Sequence, residues 1–166
     1  MVTVDQWDIS TEVGFMACYR ASLPDVYRYA AALCGADRQA AEDIVHDVFV
    51  NALVAARRGD VRDIHTGYLR SAVRHRWIDR WRSDERERKR VASIVSLPPA
   101  EPDSGALPEL LLAQLPDRER TALVLRFVDD LPVAKVGSEM GISARAAESL
   151  LARAMRRLRR AEVDHA

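Results

Sequence analysis

LPVAKVGSEMGISARAAESLLARAMRRL (131–158) is the stretch on which the fold turns, because its punctuation is that of a helix-turn-helix. Pro132 stands where a first helical turn tolerates a missing N–H, and Gly141 ends that helix where a positive φ costs a glycine little. Ile142 is the apolar plug of the turn, and Ser143 is the N-cap of the second helix. Gly137 removes bulk where two helices would cross closely. Ala147, Leu151, Ala154 and Leu158 then recur at helical spacing, leaving Arg145, Arg153, Arg156, Arg157, Arg159 and Arg160 for solvent or phosphate. A helix presented this way has the shape that enters a DNA major groove.

The rest of the chain also reads as helical, since no run alternates with period two over a convincing length. Helices are expected over about 11–22, 25–34, 37–57 and 66–90, with Leu23-Pro24-Asp25 separating the first two and Gly35 stopping the second. Ile44, Val45, Val48, Phe49, Ala52 and Leu53 give the third an apolar stripe. Tyr68, Leu69, Ala72, Val73, Trp77 and Trp81 point inward from the fourth. The segment SIVSLPPAEPDSGALPE (93–109) then carries four prolines and no basic residue, which makes it a flexible, acidic, Pro-rich linker. Further helices are expected over about 107–114, 117–129, 132–140 and 143–161. The expected fold is therefore all-α, with two small helical modules over 1–91 and 107–166 and a linker over 92–106.

Formal net charge is zero over 166 residues, and that average hides a pattern. Residues 70–90 hold eight Arg and one Lys against four acids, and 145–160 hold six Arg against Glu148. The rest of the chain is acidic. Two basic helices on an acidic body suggest two contact sites for one polyanion, whereas a uniformly basic coat would suggest sequence-blind binding. The N-terminal MVTVDQWDISTEVGF has neither the basic nor the apolar region of a secretory signal. No stretch approaches the roughly 20 apolar residues of a membrane span. Cys18 and Cys34 match no metal spacing and read as buried free thiols.

Two segments carry further chemistry. GYLRSAVRHRWIDRWRSDERERKR (67–90) interleaves Tyr68, His75, Trp77 and Trp81 with arginines. Arginine neutralises phosphate, and rings stack on unpaired bases, so the mixture suits single-stranded or opening DNA. The tryptophans lie on the inward stripe and read as core rather than base platforms, whereas Tyr68 and His75 lie about two turns apart on one face. In AAEDIVHDVFVNAL (40–53), Glu42, Asp43, His46 and Asp47 lie opposite the apolar stripe. That face suits docking of a basic partner protein. Its rivals are a merely solvated acidic surface, or a metal-dependent phosphohydrolase site completed by His75 and Asp79. With only four histidines in the chain, the metal reading is the weaker. No cofactor or metal is expected, and no Gly-rich phosphate loop is present.

In order and spacing these segments resemble the extracytoplasmic-function group of sigma factors, the small subunits that direct bacterial RNA polymerase to promoters. YRASLPDVYRYAAALCG, AEDIVHDVF and YLRSAVRHRWIDRWR are similar to the group's region two. LPDRERTALVLRFVDDLPVAKVGSEMGIS with AAESLLARAMRRLR is similar to its region four. The resemblance covers about residues 13–161. It implies that Glu42, Asp43, His46 and Asp47 dock on the clamp helices of the polymerase's largest subunit. It implies that Tyr68, Arg74, His75, Asp79 and Arg82 serve the minus-ten element, with His75 beside a flipped-out base. Arg145, Glu148 and Ser149 would lie near base edges of the minus-thirty-five element, with Arg153, Arg156 and Arg157 nearer phosphates.

This chain departs from the group's pattern in carrying His46 for the usual Gln, Tyr68 for Trp, His75 for Asn, and Ala134-Lys135 for an acidic pair. The partners implied are core RNA polymerase, promoter DNA and an anti-sigma protein, in the cytoplasm, with no catalysis of its own. The competing reading is a stand-alone helix-turn-helix regulator, which would leave the acidic helix and 67–90 without a use.

Overall fold

The computed structural model describes residues 5–35, 37–91 and 111–164, and the expected linker and the first half of the expected 107–114 helix lie outside them. The chain divides into two compact units, one within Met1–Ala31 and Arg38–Ser83, the other within Ala32–Asp37 and Asp84–Ala166. Both are helical. Among the described residues the one sheet is a pair of three-residue strands.

The first unit opens with strand β1 (Gln6–Asp8) and all but the last residues of helix α1 (Glu12–Cys34). Next come helix α2 (Arg38–Arg58), strand β2 (Asp63–His65) and helix α3 (Thr66–Val91). β1 pairs antiparallel with β2. No alternation in the sequence announces these strands, because three residues are too few for a period to show.

Residues 11–34 also differ from expectation. Where two helices were expected there is one, and Pro24 lies inside it. A proline within a helix removes the bond to the carbonyl four residues back, here that of Arg20. Both Pro24 and Arg20 are exposed, so that group is left on the solvent side. One turn along, buried Ser22 donates its hydroxyl to the Cys18 carbonyl at 2.6 Å. The helix ends at Gly35, whose φ is +63°. Helix α2 ends as its residues indicate, with Gly59 at φ +77° and N–H bonds from Gly59 to Ala56 and from Asp60 to Ala55.

The core of this unit is the expected apolar stripes. Ile44, Val45, Val48, Phe49 and Ala52 of α2 are buried, as are Leu69, Val73, Trp77 and Trp81 of α3. Ile78 joins them, while Tyr68, expected inward, is 40% exposed. Both cysteines are buried free thiols, and burial pushes the Cys18 thiol up from its ordinary value.

In the second unit, helix α4 (Asp117–Leu123) passes directly into a π-helical turn (Val124–Val128), so the run expected over about 117–129 is helical, with its second part wound wider than an α-helix. Its wider winding is seen in the bond from the Asp129 N–H to the Val124 carbonyl, five residues back, at 3.1 Å. The run closes at Asp130, φ 52°, with the Leu131 N–H on the Leu125 carbonyl at 3.1 Å. Helices α5 (Val133–Met140) and α6 (Ala144–Asp164) form the helix-turn-helix, and α6 packs on both α4 and α5.

The turn is built as its residues require. Gly141 takes φ 67°, ψ 32°, and the N–H groups of Ile142 and Gly141 return to the Gly137 and Ser138 carbonyls at 2.9 and 3.3 Å. This paired pattern closes a helix with a left-handed glycine. Ser143 Oγ accepts the Ala146 N–H at 3.1 Å as the N-cap of α6. Two details differ from the expectation. Pro132 precedes the helix in extended conformation instead of forming its first turn. Gly137 makes room for the turn itself, since a Cβ there would stand 2.9 Å from the Ile142 carbonyl oxygen. On α6, Ala147, Leu151 and Ala154 are buried and Leu158 partly so, and Leu150 is also core, at 4% exposure.

Candidate nucleic-acid interface

Three surfaces collect the residues singled out from sequence. On α2, Glu42, Asp43, His46 and Asp47 are all exposed, and the four- and three-residue steps between them make one continuous patch. Each acid has a polar or basic side chain beside it. Arg38 Nε lies 3.1 Å from Glu42, Gln39 Nε2 donates to Asp43 at 2.9 Å, and Arg76 of α3 approaches Asp47 to 3.9 Å. The hydrogen bond to Glu42 holds the Arg38 guanidinium above its ordinary value.

Beside this patch runs an apolar groove of about 430 Å³ between α1 and α2, lined by Phe15, Tyr19, Tyr27, Val45, Phe49 and Leu53. Glu42 and His46 stand at its edge, so acid and apolar surface are continuous. The Tyr19 and Phe49 rings meet edge to face at 4.8 Å and firm its floor. The groove was missed from sequence. Its aromatic signal on α1 lay across the supposed break at Pro24.

On α3, the spacing of Tyr68, His75, Asp79 and Arg82 puts them along one side of the helix. The first three are exposed and Arg82 is partly so. Arg74 falls about a third of a turn away, next to the buried side. It is half-buried, and its Nη2 donates to Ser71 Oγ at 3.3 Å. The structure thus brings four of the five residues together and sets Arg74 apart. Trp77 and Trp81, at 6% and 5% exposure, are core and offer no stacking face. Arg70 is likewise engaged on α1, over the Tyr29 ring at 4.8 Å and 3.7 Å from Asp25.

The start of α3 holds a residue that sequence reasoning passed over. His65 Nδ1 accepts the Tyr68 N–H at 3.2 Å, which is the N-cap bond to the third helical residue. Gly67 leaves space for the ring, because a Cβ there would stand 3.0 Å from that nitrogen. A cap of this kind contributes about 1 kcal/mol to a helix end. Histidine is an uncommon cap, which is why no local signal marked it.

On α6, Arg145, Glu148 and Ser149 are exposed within the first two turns, the part of a recognition helix that reaches base edges. Ser149 Oγ donates to the Arg145 carbonyl at 3.0 Å, which leaves the hydroxyl oxygen able to accept. Arg153 and Arg156 are exposed farther along. Arg157 differs, for its Nε lies 3.0 Å from the carboxylate of Glu119, a group 6% exposed. Among the described residues no group of three or more His, Cys, Asp or Glu could hold a metal ion. Nor is any described helix long and apolar enough to cross a membrane.

The chain can be set beside known proteins on this basis. The family model for Sigma-70 region 2 matches residues 18–87, and that for Sigma-70, region 4 matches residues 111–160. The RNA polymerase sigma factor SigF of Mycobacterium tuberculosis is 47% identical over 49 residues, which are 30% of this chain and 19% of that protein. The RNA polymerase sigma-F factor of Kitasatospora aureofaciens is 43% identical over 51 residues, 31% of this chain and 17% of that one. The match therefore spans less than a fifth of the length of these curated relatives. In overall fold the chain is similar to the sigma factor RpoE from Bartonella quintana, solved with the anti-sigma factor NepR. That likeness has a TM-score of 0.53 and 21% identity, covering 88% of this chain and 94% of the other. With regions 2 and 4 both matched, and in that order, the chain belongs to the sigma-70 family.

Proposed function

We propose that this chain is a promoter-specificity subunit of bacterial RNA polymerase that acts in the cytoplasm by binding, not by catalysis. Its first module, 1–91, docks on core polymerase through Glu42, Asp43, His46 and Asp47. The same module captures unpaired minus-ten bases through Tyr68, His75, Asp79 and Arg82, with Arg74 supporting the helix from its flank. The second module, 107–166, sets the start of α6 in the minus-thirty-five major groove, where Arg145, Glu148 and Ser149 face base edges and Arg153 and Arg156 face phosphates. The 92–106 segment joins them. The observation that carries this reading is the separation of one acidic and two basic surfaces onto α2, α3 and α6. A duplex-binding regulator has use for the last alone.

Strand opening by this route needs no nucleotide hydrolysis. Bases captured as the duplex breathes shift the equilibrium toward the open form, because stacking is worth roughly 1–3 kcal/mol per base. A regulator that covers the α3 and α6 faces would silence the subunit, so an anti-sigma protein is the expected partner. Run-off transcription with purified core polymerase on a library of promoter fragments tests the proposal. Specific transcripts that depend on the chain support it. Core polymerase that gains no promoter preference from the chain contradicts it.

A further inference from the structure

Residues 5–11 include none of the side chains assigned above to polymerase or DNA, yet they are tied down at several points. β1 lies against β2 in the register Gln6↔His65, Trp7↔Ile64 and Asp8↔Asp63. Ile9 donates its N–H to the Arg62 carbonyl at 2.8 Å, and Arg62 donates its Nε to Asp8 Oδ2 at 3.3 Å. Ile9 and Ile64 are each 1% exposed. The Asp8 carbonyl rests on the first turn of α1 at Gly14, where an added Cβ would stand 1.8 Å from that oxygen. A lone two-stranded pair this short has no independent stability in water, so these anchors are what hold it.

What the pair holds is the entrance to α3. β2 ends at His65 and α3 begins at Thr66. His65 Nδ1 accepts the Tyr68 N–H at 3.2 Å, so the ring caps the helix through that nitrogen. The position of β2 therefore sets the imidazole, and the imidazole sets the first turn, from which Tyr68 projects at 40% exposure.

We propose that the N-terminal strap, residues 5–11, positions the base-capturing face of α3, and that His65 is the positioning residue that passes the register of β2 to Tyr68. This rests on the minus-ten reading of α3 above and adds the element that aims it. Neither the strap nor His65 touches DNA in this scheme. Their effect is on how well Tyr68 and His75 are presented, and preorganised groups bind more tightly than mobile ones.

The test uses the full chain assembled with core polymerase, and a single-stranded oligonucleotide series in which each minus-ten base is varied. His65→Ala and Gly14→Ala, the second chosen to lift the strap off α1, are each expected to weaken oligonucleotide binding about fivefold, the equivalent of a lost cap. They are expected to flatten discrimination among bases, while core binding and minus-thirty-five duplex binding stay unchanged. His65→Asn, which retains an acceptor, restores both properties. Amide exchange at Tyr68 rises in both weakened variants and returns in His65→Asn. If Tyr68→Ala weakens binding while Gly14→Ala and His65→Ala do not, the strap proposal is overturned and the reading of α3 stands. If Tyr68→Ala and His75→Ala are also silent, both are overturned.

Discussion

Arg157 Nε of α6 lies 3.0 Å from the Glu119 carboxylate of α4, which is 6% exposed, while the arginine side chain itself is 58% exposed. The N–H is not aligned for a hydrogen bond with the buried oxygen, so the contact is an ion pair. The resemblance assigned Arg157 to DNA phosphate, and here it neutralises a buried acid inside its own unit.

Arg157→Ala should therefore destabilise the second unit by about 1–3 kcal/mol, since removing one partner leaves a buried charge exposed to no counter-charge. Arg153→Ala, at an exposed position on the same helix, should change stability by less than about 0.5 kcal/mol. Thermal or urea unfolding of the two variants checks this. Equal stability would return Arg157 to the phosphate-facing set.

His75→Ala should reduce open-complex formation about tenfold and leave minus-thirty-five binding alone, because one stacking or hydrogen-bonding partner of a flipped base is worth roughly 1–3 kcal/mol. Fluorescence of 2-aminopurine at the minus-ten position reads unstacking directly. An unchanged signal contradicts the assignment of His75.

Asp8 carries a pH dependence whose sign is set by its contacts. Its carboxylate accepts from the Ser10 hydroxyl, the largest influence, from the Ser10 N–H at 3.0 Å, and from Arg62, which together hold it below its ordinary value. A carboxyl depressed on folding stabilises the native chain fully above the unfolded-state value, near about pH 4, and loses that contribution as pH falls through the folded value. A carboxyl-detected NMR titration should place Asp8 below the solvated aspartates. Asp8→Asn should remove this part of the acid limb of stability. Titration of Asp8 with the solvated group contradicts the account.

The helices with strong punctuation could be read directly from sequence. Gly141 and Ser143 bracket their turn by backbone conformation and capping, which are local properties of those residues, and both behave as their chemistry dictates. The failures share a cause. Whether a helix ends at a proline or accommodates it depends on its surroundings, here on which side of α1 faces water, with Pro24 and Arg20 both exposed. Tyr68 lies on the edge between stripes, where periodicity alone does not choose a side. β1 and β2 exist because residues about 57 apart in the chain meet, and Gly14 and His65 acquire meaning only through that meeting. The groove beside Glu42 and His46 required α1 to be continuous, so misreading Pro24 hid it as well.

Association of the purified chain with core RNA polymerase bears most directly on the central claim. The native chain and Arg153→Ala should form the same stable complex on size-exclusion chromatography. Asp47→Arg should weaken the complex about tenfold or more, because a charge reversal within an electrostatic docking patch replaces attraction by repulsion, and here also faces Arg76 at 3.9 Å from the original carboxylate. A native chain that elutes apart from core, with any bound inhibitor removed, or an Asp47→Arg variant that binds as the native chain does, contradicts it.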